Sequence, residues 1–214
     1  MPELPELQAL AEGLDGALRG REVTGATAWL PWVVRTADPP LEALCGRRVT
    51  RVWRRGKLLG LDADGLTLVL HLMRAGRLGL APAAARRPGR RTLLSVRLDG
   101  GEELRLRELA TEHRASAHLL PTDRVAEHPP LAALGPEPVG LDPEGWRTAL
   151  GPPPTRLHSA LRDGRRVAGI GRCYADEIMW AARLAPFARA DRLDVAEVAR
   201  LAAGADAALG QARD

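Results

Sequence analysis

Lys57 is the only lysine in the chain; all its other cationic side chains, among 31 lysines and arginines, are arginine. A compact ammonium on a flexible stem can sit as a point charge between phosphate or sugar oxygens, which a planar guanidinium cannot do. Around it the arginines come in runs: Arg54 and Arg55; Arg86, Arg87, Arg90 and Arg91; Arg162, Arg165, Arg166 and Arg172. With a pI of about 9.9 and a formal net charge of +4, this clustering is the electrostatic footprint of phosphate binding, although a GC-rich genome also inflates arginine. The glycine pair Gly169 and Gly171 in AGIGRCYADE fails as a dinucleotide fingerprint, since no βαβ strand precedes it and the third glycine is missing. It fits a helix–turn–helix element that presents backbone N–H groups to a DNA phosphate, or, more plainly, a tight turn between packed helices. At the other end, MPELPE crowds Pro2, Glu3, Pro5 and Glu6 against the terminus. Proline disfavours helix at the residue before it, so the segment stays extended until Pro5 serves in a first helical turn, where the macrodipole favours carboxylates.

The elements that must carry these residues follow from periodicity. Leu7, Leu10, Ala11, Leu14, Ala17 and Leu18 recur on one helix face and Gly20 makes a stop, which predicts a helix over about 5–19 despite Gly13 and Gly16. The period then drops to two, with runs at 22–30, 47–53, 57–62, 66–73, 92–98, 102–107 and 114–120. Turn signals such as Ala63-Asp64-Gly65 and Asp99-Gly100-Gly101 separate them, as in an antiparallel β-sandwich. Residues 121–154 are rich in proline, a tight connector with a short helix expected over Gly145–Leu150. Helices are expected over 155–162, 174–183 and 194–209, with the glycine-broken RVAGIGR between the first two, and there is no internal repeat. The fold class is α+β: an N-terminal helix and β-sandwich domain over 1–120, the connector over 121–154, and a helical domain over 155–214.

With 214 residues and 45% hydrophobic content the chain can bury one large or two small cores. Cys45 and Cys173 lie far apart without a CxxC neighbour, so neither a disulfide framework nor a zinc site is indicated. No basic flank leads into a continuous apolar stretch and none approaches the length of a membrane span, so a cytosolic protein is expected.

PELPE at the terminus, the RRGK and HLMRAGRL segments, the phrase LGPEP, and GIGxxYADEI followed by ARLAPF resemble, in this order, the formamidopyrimidine-DNA glycosylase / endonuclease VIII family. The resemblance spans nearly the whole chain. LGPEP or GIG alone is weak; joined to PELPE they are specific. It implies a helix–two-turns–helix DNA-binding domain after the sandwich, damaged double-stranded DNA as the partner, and a monomer. It implies that removal of Met1 leaves Pro2 with a free secondary amine, which, like other α-amino groups, titrates near ~8. In the family this amine attacks the sugar carbon bearing the damaged base and forms a Schiff base. Glu3 matches the carboxyl that handles protons at the sugar, help of a kind that contributes ~10²–10⁴-fold, and Glu6 the one that supports the terminus. Lys57 matches the hairpin lysine at the backbone flanking the lesion, and Gly169, Gly171, Arg172 and Tyr174 fall in the DNA-facing turn. The base must be flipped and the gap filled by a wedge. Met73 and Arg74 are the candidates, and the choice between them is open.

Three departures bear on activity. Arg172 stands where the family usually has asparagine. The loop that commonly carries an arginine and a phenylalanine to plug the DNA reads ELATEHRA, with Arg114 as the one candidate plug. No zinc finger follows before Asp214, through truncation or because this branch dispenses with it, so no cofactor is expected in this chain. The resemblance implies a bifunctional DNA glycosylase and AP lyase acting on oxidised bases in a bacterial-type cytoplasm, held at the nucleoid through DNA. The competing readings are a DNA-binding protein of the same fold that has lost catalysis, and an RNA-binding helical module with an unrelated β-domain.

Overall fold

The computed structural model describes residues 1–83 and 89–211; Arg86 and Arg87 of the basic run lie outside the described residues. The chain divides into two compact units. The first comprises Met1–Pro2, Leu10–Arg54 and Leu58–His128; the second comprises Glu3–Ala9, Arg55–Lys57 and the chain from Pro129 onward.

The expected first helix is present as α1, Leu4–Leu18, with Pro5 at its second position. Among the described residues eight strands follow: β1 (Val23–Ala28), β2 (Val49–Arg55), β3 (Leu58–Ala63), β4 (Leu66–His71), β5 (Gly76–Pro82), β6 (Thr92–Leu98), β7 (Glu102–Glu108) and β8 (Ser116–Pro121). They form two four-stranded sheets ordered β1-β6-β7-β5 and β2-β3-β4-β8, the sandwich that the period-two runs predict. The β3–β4 hairpin pairs Leu58 with His71 through to Ala63 with Leu66. Its turn residues Asp64 and Gly65 both have positive φ, the geometry that matches the right-handed twist of the strands. Leu59, Leu61, Leu68, Leu70, Leu94, Val96, Leu104, Leu106 and Leu119 are fully buried in this unit.

One strand escapes the periodicity. The run expected over 66–73 stops at His71, because Gly76 N–H donates to the Leu72 carbonyl at 2.9 Å and closes a turn in which Met73 has φ +52°. The chain then returns as β5, GRLGLAP, whose two glycines and proline carry little β-propensity. It lies at the edge of its sheet and, among the described residues, pairs with β7 alone, from Gly76 opposite Glu108 to Pro82 opposite Glu102. An edge is where such residues are tolerated.

The second unit contains α2 (Pro129–Ala132), α3 (Pro143–Ala149), α4 (Leu157–Arg162), α5 (Arg172–Ala182) and α6 (Val195–Gln211). Asp142 caps α3 by accepting from Gly145 N at 2.7 Å, with Pro143 in the first turn. Trp146, Leu157, Leu161, Ile170, Ile178, Leu201 and Leu209 form its core together with Leu4. Among the described residues no helix is long and apolar enough to cross a membrane.

Candidate active site

The sequence reading starts the helix after the glycine pair at 174, but α5 begins two residues earlier, at Arg172. The reason is a cap supplied from elsewhere in the chain. Gly171 occupies the cap position and has no side chain to offer the first N–H groups of the helix. The carboxylate of Glu3 supplies what is missing: Oε2 accepts from Gly171 N at 2.7 Å and Tyr174 N at 3.2 Å, and Oε1 from Cys173 N at 3.1 Å. Glu3 is 5% exposed, so these charge-assisted bonds are sheltered from water. Both glycines are needed for the fit. A Cβ on Gly171 would overlap the Glu3 carboxylate, and Gly169, at φ +85°, lies so close to Leu4 that a Cβ would come within 2.9 Å of its Cδ1. The backbone is tied there as well, Leu4 N donating to the Gly169 carbonyl at 3.1 Å.

Glu6 completes the start of α1. Its Oε2 accepts from the Glu3 backbone N–H at 3.0 Å, the returning half of a capping box, while Oε1 accepts from the Tyr174 hydroxyl at 3.3 Å. Burial, and then the Glu6 carboxylate, push the Tyr174 phenol up to about 12.

Lys57 reaches the same turn from the opposite side of one peptide. Its Nζ donates to the Ile170 carbonyl at 2.8 Å, and the N–H of that same peptide unit, belonging to Gly171, donates to Glu3. Burial holds the Lys57 ammonium below its usual range, Glu3 opposes that shift, and Arg162 adds to it. The Arg55–Lys57 turn is fastened by Glu137, which accepts from Arg55 Nη1 and from Gly56 N, both at 2.8 Å. Glu137 belongs to LGPEP, and sequence reasoning used that phrase for the resemblance without seeing a job for its carboxylate.

The second unit therefore gathers Glu3, Glu6, Lys57, Gly169, Gly171, Arg172 and Tyr174 around one turn. Arg172 is exposed and lines a concavity of about 350 Å³. The remaining candidates lie in the first unit. There Arg74 and Arg114 line a cavity of about 510 Å³ with Met1, Ala75, Glu108 and Glu112, whereas Met73 is not among its lining residues. The guanidinium of Arg114 is occupied by Glu112, Nη2 to Oε2 at 2.6 Å, and its backbone N–H donates to the buried Glu108 at 2.7 Å. Pro2 precedes Glu3 directly and is partly buried. Among the described residues no group of three or more histidine, cysteine, aspartate or glutamate side chains can hold a metal ion.

Known proteins resemble this chain over most of its length. The model of the formamidopyrimidine-DNA glycosylase N-terminal domain matches residues 1–111. The formamidopyrimidine-DNA glycosylase of Herpetosiphon aurantiacus is 35% identical over 208 residues, covering 94% of this chain and 74% of that protein. The one from Heliobacterium modesticaldum is 36% identical over 208 residues with the same coverage of 94% and 74%. Among solved structures, the Lactococcus lactis formamidopyrimidine-DNA glycosylase bound non-covalently to DNA containing an AP site superimposes with a TM-score of 0.89 at 26% identity, over 99% of this chain and 81% of that one. A mutant of that enzyme in complex with DNA containing Fapy-dG matches with the same score and identity, over 99% and 78%.

Proposed function

Because the chain belongs to the formamidopyrimidine-DNA glycosylase family, we propose that it is a DNA glycosylase of base excision repair that releases oxidised bases from double-stranded DNA and then cleaves the strand as an AP lyase. The nucleophile is the secondary amine of Pro2 after Met1 has been removed. The neutral amine attacks the sugar C1′, the bond from C1′ to the base breaks, and the base leaves with its electron pair and a proton. Ring opening gives an iminium between Pro2 and C1′, a cation that acidifies the neighbouring C2′–H. Loss of that proton expels the 3′ phosphate by breaking the C3′–O bond, and water then hydrolyses the iminium to free the amine.

The observation that carries this reading is the fixed carboxylate of Glu3, one residue from the attacking nitrogen and pinned by three backbone N–H groups. A carboxylate so placed moves protons at the sugar without having to be ordered first. Lys57 faces the anionic backbone beside the lesion, and Arg172 supplies a permanent charge in place of a neutral amide. Arg74 is the better-placed wedge, since it rather than Met73 shares a cavity with the chain terminus.

Borohydride reduction in the presence of abasic-site DNA tests the reading. Met1-free protein should be trapped covalently through residue 2, and Glu3→Gln should bind damaged duplex while losing base release by about 10²-fold or more. If correctly processed protein yields no trapped species, Glu3 is a helix cap only and the chain a DNA-binding member of the family.

A further inference from the structure

The concavity beside Arg172 contains more than a phosphate contact requires. Its walls come from the start of α4, the first turns of α5 and the segment around Phe187, and backbone bonds hold them in place: Leu157 N to Ala188 O at 2.8 Å and Ala190 N to Thr155 O at 2.9 Å. Three arginines line it, Arg156, Arg162 and Arg172, against a single carboxylate, Asp176, which is itself 3.4 Å from His158 Nε2. Among the described residues no hydrogen bond or ion pair engages the guanidinium of Arg162 or Arg172, and both side chains are exposed. Phe187, the only phenylalanine in the chain, is 73% exposed at the rim, with the Arg156 guanidinium carbon 5.3 Å from its ring centroid.

Unpaired arginines beside an upturned ring match the two chemical features of a nucleotide. The volume, about 350 Å³, is that of a small-ligand site. A ring facing solvent can stack on both kinds of open base face, that of an unpaired base and the outer one of a terminal pair, but not within a duplex, where bases already have neighbours on both faces. We propose that this concavity is a second nucleotide site, which takes one unpaired nucleotide of a DNA strand with its base on Phe187 and its phosphate on Arg162. The chain would then favour DNA in which duplex gives way to single strand. From the proposed function it borrows only that the partner is DNA.

Fluorescence anisotropy with undamaged DNA reads this directly, using a blunt duplex and the same duplex carrying a short single-stranded thymidine extension. Wild type should prefer the extended duplex by about 5- to 30-fold, the lower part of the range for base–aromatic stacking. Phe187→Ala should lose that preference while blunt-duplex affinity, and excision from blunt damaged duplex, stay within about twofold; truncating so exposed a ring leaves the core untouched. Phe187→Trp, which keeps a stacking face, should keep the preference. Arg162→Ala should lower the salt slope for the extended duplex by about one. Equal wild-type affinity for the two duplexes, or equal weakening of both by Phe187→Ala, overturns the proposal and leaves a surface for duplex backbone alone. Preference for the extension without any excision would remove the glycosylase reading and leave this site standing.

Discussion

A single peptide, Ile170–Gly171, has an ammonium on its oxygen and a carboxylate on its nitrogen. Lys57 thus bears on the posture of Glu3 through that peptide. Lys57→Ala should lower excision of a damaged base by about 10- to 100-fold, since a misplacement near 1 Å costs up to ~10² in rate. Affinity for undamaged duplex should fall by less than about fivefold, because many arginines share that non-specific attraction. Lys57→Arg should not restore excision, the planar fork being too bulky for the carbonyl it would have to meet. Parallel losses in single-turnover excision and in duplex binding would reduce Lys57 to one more surface cation. The sequence already singled out Lys57 as the lone lysine, but its target was illegible. That target is a backbone carbonyl 113 residues away, and no side-chain type announces a carbonyl. Glu137 was hidden for the same reason, since its partners are a turn N–H and an arginine in a run that composition explains as a whole.

At the scale of the element, the start of α5 shows what a helix gains from a borrowed cap. Gly171 is at φ −115° and ψ −153°, a conformation any residue adopts, so alanine there meets no backbone strain. What it meets is the Glu3 carboxylate. Gly171→Ala should therefore fold, lose about 1 kcal/mol or somewhat more from the disturbed cap, and lose base release by about 10²-fold. Circular dichroism melts paired with excision assays check this; full activity in the folded variant would show that the carboxylate tolerates displacement. Periodicity located α1, α6 and most strands to within a residue or two, because those elements are decided by which face is buried. It placed the start of α5 late, since the residue that caps it is outside any window around it. It also passed over β5, whose glycines and Pro82 read as loop and are tolerated only at an edge that pairing with β7 creates.

Across the whole molecule, acid should weaken the fold before Asp15, Asp99, Asp163 and Asp191 respond. The rings of His118 and His128 lie 4.4 Å apart. Burial first, then His128, Arg35 and His71, push His118 down from 6.5 to about 4, and burial pushes His128 down as well. A lowered folded value means that the fold favours the neutral ring. Its contribution is therefore complete above 6.5, fades as pH falls below that, and levels off near about 4. Because His118 is only half-buried, solvent screening reduces the loss to about 1–2 kcal/mol, a few degrees of Tm. Asp15, Asp99, Asp163 and Asp191 are all held below 3.8 by hydrogen bonds and nearby arginines, so their losses come later, in more acid solution. Melting curves collected between pH 7 and 4 should slope downward for wild type and flatten for His118→Gln. An unaltered slope in that variant would assign the loss to other groups.

The bond from Glu3 to the Gly171 N–H joins positions 168 residues apart, and this separation is also an interval of time. Ribosomes add ~5–20 residues per second, so the carboxylate waits on the order of 10–30 s for its donors to be made. Throughout that interval Glu3 and Leu4 lack the turn, Gly169 to Tyr174, to which they are bonded in the finished chain. The removal of Met1 that the proposed chemistry requires can thus precede the fixing of its neighbour Glu3, whose carboxylate is held only once that turn has been made. A nascent chain arrested before residue 171 should be open to the aminopeptidase, yet unable to form the covalent adduct.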